Sequence, residues 1–348
     1  GKYGMYKSTK LNYNGGDNPQ PDYWKRLPSS YYDVWGNDYN TEQGYQDFLT
    51  ARNYFMGSMA ARQISFDQLI YANRQAASQG ADAMYYIQAR NSNAFNLTLS
   101  STLTSHITEK SVWNNGFFVA HNDNNHFQTM EDLLGASSFH NINTYALGTY
   151  PAGSDRLQYD LNQANGTVKK GDRFGYDYHI LVNKAQVWTS YTEDFGIVHY
   201  SVSARLGGQT MQRDGKMRNG LFADNSYGKS KTAKFLEGGF KASGDFNLGG
   251  GNTLTLGMGY DMHAPSASTA FYAPEVNNDF VMNLHNERLF SSEVGYQFLN
   301  SWLHANINAY YNYMSNVTEW NCFYFDDINS FSYNSLSGLR KESYGIEG

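Results

Sequence analysis

The donor types suited to a metal lie closest together in HNDNNH, residues 121–126. His121, Asp123 and His126 supply two imidazoles and a carboxylate, but their spacing matches no zinc signature. An exposed asparagine-rich loop is the reading this stretch supports. GGDN at 15–18 and FDDIN at 325–329 offer oxygens to calcium without the spaced ligand set of a calcium loop. Cys322 is the single cysteine, so neither an intrachain disulfide nor a CxxC metal site is available. LGGGN at 248–252 lacks the Lys and Ser of a phosphate-binding loop and reads as a turn. No Ser-His-Asp set can be argued from residues this scattered. The expectation is a protein that is not an enzyme, with no catalytic residue, no metal and no cofactor.

What remains for binding is aromatic. The stretch PDYWKRLPSSYYDVW at 21–35 places Tyr23, Trp24, Tyr31, Tyr32 and Trp35 in one loop. Such side chains either line a ligand mouth or grip a partner, or they pack against neighbouring loops and hold this one in place. Both readings stand at this point. The whole chain is rich in the same chemistry, with 29 Tyr and 21 Phe beside 6 Pro. Tyrosine favours strands and the wet rims of a bilayer. The formal charge of −6 gives no basic field for nucleic acid, and no nucleic-acid partner is expected.

The elements that must carry these loops alternate with period two. In FGIVHYSVSARLGG, Val198, Tyr200, Val202, Ala204 and Leu206 share one face, and His199, Ser201, Ser203 and Arg205 share the other. Leu97 and Leu99 oppose Thr98 and Ser100. Leu254, Leu256 and Met258 oppose Thr253, Thr255 and Gly257. Ile307 and Ala309 oppose Asn306 and Asn308. A soluble sandwich would turn the apolar faces into a core; a membrane barrel would turn them to lipid, with Arg205, Lys184 and Gln186 against a wet interior or a plug.

Connection lengths separate the two. Strands are expected near 1–13, 81–103, 110–122, 173–191, 196–211, 232–247, 252–262, 289–299, 302–315 and 340–348. Tight connections fall at 104–109, 192–194, 248–251 and 300–301. Long ones fall at 14–80, 123–172, 212–231, 263–288 and 316–339, in strict alternation. Membrane barrels are built with short turns on one side and long loops on the other, whereas loops of this length are uncommon in compact soluble domains. A helix is expected at 65–79, with Ser65 as N-cap and Gln68 three residues on, and a helical turn at 129–136 stopped by Gly135.

Five stretches, in order, carry a family resemblance: NPQPDYWKRLPSSYY at 18–32, EDLLGA at 131–136, GDRFGYDYHI at 171–180, RNGLFADNSYGKS at 218–230 and SSEVGYQF at 291–298. Together they resemble TonB-dependent outer-membrane receptors of Bacteroidota, of the type carrying a carboxypeptidase-like regulatory domain. The resemblance implies an all-β fold: a transmembrane antiparallel β-barrel of 22 strands with long extracellular loops, closed by an N-terminal plug, in the outer membrane of a Gram-negative bacterium. It implies import of a scarce ligand with energy passed through TonB. The chain departs from that pattern in having no recognisable plug, TonB box or aromatic-ending final strand. Residues 1–348 are therefore expected to be a partial barrel lacking the plug and both flanking barrel regions. Its partners would be outer-membrane lipid, the remainder of the barrel and plug, the TonB complex through the missing plug region, and an unknown ligand. A non-transporting barrel displaying loops for adhesion or assembly is the alternative.

Overall fold

The structure, a computed structural model, describes residues 1–31, 41–325 and 330–348. It is all-β in its framework. The strands are β1 (Lys2–Tyr13), β2 (Tyr85–Thr108), β3 (Ser111–Asp132), β4 (Arg173–Asp194), β5 (Val198–Gly215), the two-residue β6 (Gly228–Lys229), β7 (Ala233–Gly249), β8 (Asn252–His263), β9 (Glu287–Leu299), β10 (His304–Phe325) and β11 (Ser330–Glu347). They form one antiparallel sheet in chain order, with β6 lying off the path against β5. A sequential order of this kind is what hairpin connections produce. No described helix is long and apolar enough to cross a membrane.

Two compact units account for the described residues: Gly1–Tyr6 with Ser92–His126 and Tyr176–Gly348, and Lys7–Asn91 with Phe127–Gly175. In the first unit the register lines the apolar residues into rows that cross the strands. Val198, Phe246, Leu254, Tyr296 and Ile307 are successive partners. So are Gly244, Leu256, Val294, Ala309 and Ile346. Val202, Leu206, Leu256, Val294 and Ile307 are all exposed, as are Leu97 and Leu99 on β2. An apolar face this broad that meets no protein is the signature of a surface made for lipid. Leu254, expected in the same set, is half-buried within its row. The first unit's core lies at the far end of the polar face, where Tyr178, Ile180, Met211 and Phe235 receive Ala264, Ala270 and Phe271 from the β8–β9 connection.

The second unit holds the helices α1 (Glu42–Gly57) and α2 (Phe66–Ser78). Ser65 caps α2 by accepting from the Gln68 N–H, as its spacing predicts. The helix is bolted down by Asn73, which is wholly buried. Its Nδ2 donates to the carbonyls of Tyr85, Leu133 and Leu134 at 2.7, 2.9 and 3.1 Å, and its Oδ1 accepts from the Met84 and Tyr85 N–H groups at 2.9 and 3.0 Å. Nearby, Tyr86, Phe139 and Phe174 meet edge-to-face around Met130.

Four expectations are corrected. HNDNNH is no loop: it lies inside β3, which runs on to Asp132. The helical turn expected at 129–136 is the end of that strand followed by Leu134 and Gly135, both at positive φ (47° and 79°), a pairing a right-handed helix cannot contain. The tight connection expected at 104–109 shrinks to residues 109–110 because β2 continues to Thr108. The long connection expected at 316–339 is largely strand, with β10 and β11 pairing from Val317↔Leu339 to Phe325↔Ser330. α1, capped by Thr41 Oγ1 on the Gly44 N–H, is an element the periodicity did not signal.

Candidate functional site

The polar face of β4, β5, β7, β8 and β9 encloses a concavity of about 900 Å³. Register sets its residues side by side. Trp188, Arg205, Gly239 and Asp261 are partners across four strands, and Gln186, Gly207 and Glu237 form the adjoining row. Because paired residues point to the same side, every polar group of these rows opens into one space.

Within it the charges form a chain of alternating sign. Lys184 Nζ lies 2.7 Å from Glu237 Oε2, and Arg205 Nη1 lies 3.6 Å from the same oxygen. Arg205 grips Asp261 bidentately, Nε to Oδ1 and Nη2 to Oδ2 at 2.8 Å each. His263 follows, Nδ1 at 3.1 Å from Asp261 Oδ2 and Nε2 at 3.3 Å from Glu287 Oε2. Two carboxylates also hold backbone. Glu237, only 1% exposed, accepts the Ala264 N–H at 2.9 Å where β8 ends. Glu287 accepts the Thr318 N–H at 3.1 Å beside the bulge in β10. A buried carboxylate needs such partners to stay charged at tolerable cost.

Glycine shapes the wall. A Cβ on Gly116 would sit 2.6 Å from the Trp188 indole, and one on Gly239 would sit 2.5 Å from Asp261 Oδ1. Larger residues there would displace the aromatic and the ion chain. Ala264, Pro265 and Ala267 of the β8–β9 connection line the far side of the concavity. That connection is tied down by Arg213, which is buried near the end of β5, beyond the lipid-facing rows. Arg213 donates to the carbonyls of Pro274 and Ser226 at 2.7 and 2.8 Å and to Asn278 Oδ1 at 2.6 Å, and it stacks over Tyr178.

The residues singled out in the sequence are dispersed. Tyr23 and Trp24 meet edge-on with ring centroids 6.1 Å apart, and Lys25 Nζ lies 5.1 Å from the Trp24 ring. Tyr31 ends the next short turn, and both Trp24 and Tyr31 are exposed. Tyr32, Trp35 and most of FDDIN lie outside the described residues. His121 faces Asn183 Oδ1 at 2.7 Å, Asp123 faces His179 Nδ1 at 2.6 Å, and His126 stacks on Tyr178. These three side chains therefore serve three different contacts. LGGGN forms the β7–β8 turn, with Gly249, Gly250 and Gly251 all at positive φ. Lys184, Gln186 and Arg205 do come together; Glu237, Asp261, His263 and Glu287 were missed.

The arrangement is a wall: apolar on one face, hydrogen-bonding and charged on the other. No protein-family model matches the sequence, and no curated protein matches it. Among solved structures the chain is similar to "Copper transporter OprC", with TM-score 0.52 and 11% identity over 75% of this chain and 35% of that one. It is also similar to the ferric citrate transporter FecA in its unliganded form, with TM-score 0.43 and 8% identity over 67% of this chain and 29% of that one. The chain thus spans about a third of the length of the copper transporter. At this identity the first likeness shows the fold alone, that of a segment of an outer-membrane β-barrel.

Proposed function

We propose that this chain is part of the wall of a TonB-dependent outer-membrane receptor of a Gram-negative bacterium, which imports a scarce ligand. The observation that carries the reading is the two-faced sheet. Rows such as Gly244–Leu256–Val294–Ala309 suit lipid, while the other face gathers charged side chains around a concavity of about 900 Å³. The five ordered sequence stretches supply the rest: a 22-stranded barrel, with the plug and remaining strands contributed by other parts of the protein, and coupling to TonB through that plug. The aromatic loop of Tyr23, Trp24, Tyr31, Tyr32 and Trp35 is assigned to the ligand mouth or to a partner's grip.

Photo-crosslinking of the intact gene product in living cells tests the transport reading. A crosslink to TonB is expected from the region preceding the barrel. An outer-membrane protein that never contacts TonB would support the display of loops for adhesion or assembly instead.

A further inference from the structure

The ion chain contains one member whose geometry demands a particular protonation state. Both ring nitrogens of His263 face carboxylate oxygens, Asp261 at 3.1 Å and Glu287 at 3.3 Å. A neutral imidazole donates from one nitrogen and presents a lone pair at the other. One of the two contacts would then set a lone pair against a carboxylate. Only the imidazolium, with two donors, satisfies both.

The position of this residue gives the contact a consequence. His263 is the last residue of β8, and the next residue opens the connection 264–286. Ala264, Pro265 and Ala267 line the concavity, and Ala264 is further held by Glu237. On the other side Glu287, the register partner of His263, begins β9, so the connection leaves the sheet at His263 and re-enters it at Glu287, the two residues that the Nε2–Oε2 contact joins.

We propose that His263 is a protonation-sensitive latch on the root of the 264–286 connection: the imidazolium bridges Asp261 to Glu287 and keeps the root closed over the concavity, and the neutral ring releases it. The proposal rests on the reading of this face as the water-exposed side of a transport wall. The charged groups around the ring are Asp261 on β8, Glu287 on β9, Glu237 on β7, Arg205 on β5 and Lys184 on β4, with Lys341 of β11 acting on Glu287 from a distance. Loss of the histidine proton leaves Asp261 with its Arg205 partner. It leaves Glu287 with the Thr318 N–H and the distant Lys341, opposite a ring that no longer attracts it. Water then enters between the two strand ends. Low pH closes the root and high pH opens it, the usual sense for a histidine held by carboxylates.

The test uses the intact gene product in outer-membrane vesicles, with Cys322→Ser and a spin label at Ser268→Cys, which is exposed close to the root. A second label at Met282→Cys reports on the distant part of the same connection. Between about pH 5 and about pH 9 the window spans histidine and excludes carboxylate titration. A single-proton rise in mobility is expected at position 268, with little change at 282. H263R, a permanent two-pronged cation, keeps the 268 label immobile throughout, and H263Q leaves it mobile throughout. Heat-modifiable migration confirms that each variant is folded. A flat profile in the parent, or the parent's profile persisting in H263Q and H263R, overturns the latch. Neither result touches the transport reading, because label mobility is measured without ligand or TonB.

Discussion

Leu256→Arg places a charge in the middle of an apolar row, and its cost can be worked from the register. Leu256 lies between Gly244 on one side and Val294 on the other, and Val294 is followed by Ala309 and Ile346. It is the fifth residue of β8, counted from the short β7–β8 turn. At about 3.4 Å per residue on a strand tilted near 45°, that is roughly 10 Å above the turn, well inside a lipid band about 25 Å tall. An arginine near the midplane costs roughly 2–4 kcal/mol. At about 1.4 kcal/mol per factor of ten, the folded-to-unfolded ratio should fall by roughly 30- to 700-fold. Thr255→Arg is the control. Thr255 lies on the polar face and bonds Asp245 Oδ1 at 2.7 Å, so an arginine there meets a carboxylate and water. Denaturant titration of the intact gene product in phospholipid vesicles, followed by tryptophan fluorescence and heat-modifiable migration, gives both values. A Thr255→Arg loss equal to or greater than that of Leu256→Arg would refute the assignment of the faces.

Asn73→Ala removes five hydrogen bonds from a fully buried side chain and strands the Tyr85, Leu133 and Leu134 carbonyls, so a loss of about 3 kcal/mol or more is expected in the second unit. Hydrogen exchange of α2 and of the β2 start would report it. Arg213→Lys keeps the charge but cannot fan donors to Pro274, Ser226 and Asn278 together; the 264–286 connection should become protease-sensitive while the sheet stays intact. Gly251→Ala drives a Cβ into the Leu299 carbonyl oxygen at a φ of 84°, and a loss of roughly 1–3 kcal/mol is expected on denaturant titration; Gly250→Ala, whose Cβ would meet only the Asn252 side-chain Nδ2 at 3.4 Å, should cost less. Protease added to intact cells should cut within 14–84 or 133–172 before the 249–252 turn, and the reverse order would invert the assigned topology.

The strands were legible because each spans a boundary between unlike media, which writes a two-residue period into the sequence. β4, β5, β7, β8 and β9 fall within a few residues of their expected limits. The period hides where a bulge resets it. In β10 the register shifts between Met314, Val317 and Glu319, and Asn316 adopts φ 58°, so the apolar phase of Ile307–Ala309–Tyr311 does not continue and the rest of the strand reads as loop. EDLLGA resembles a helical turn in composition, yet the fate of Leu134 is set by Asp132, whose carboxylate takes the Leu134 N–H at 2.8 Å. The ion chain was legible only in part. Arg205 and Asp261 are separated by 56 residues, and nothing local to either announces the other. Their meeting depends on the registers of β5 with β7 and of β7 with β8.

The most direct test of the central claim is a nitroxide scan of β8 from Asn252 to His263 in membranes, reading oxygen against a water-soluble nickel chelate at each position. Labels at Leu254, Leu256, Met258 and Tyr260 should be reached by oxygen from lipid, and labels at Thr253, Thr255, Gly257 and Gly259 by nickel from water, alternating without a break. Uniform nickel access along the strand, or the same alternation in opposite phase, would contradict a lipid-facing wall.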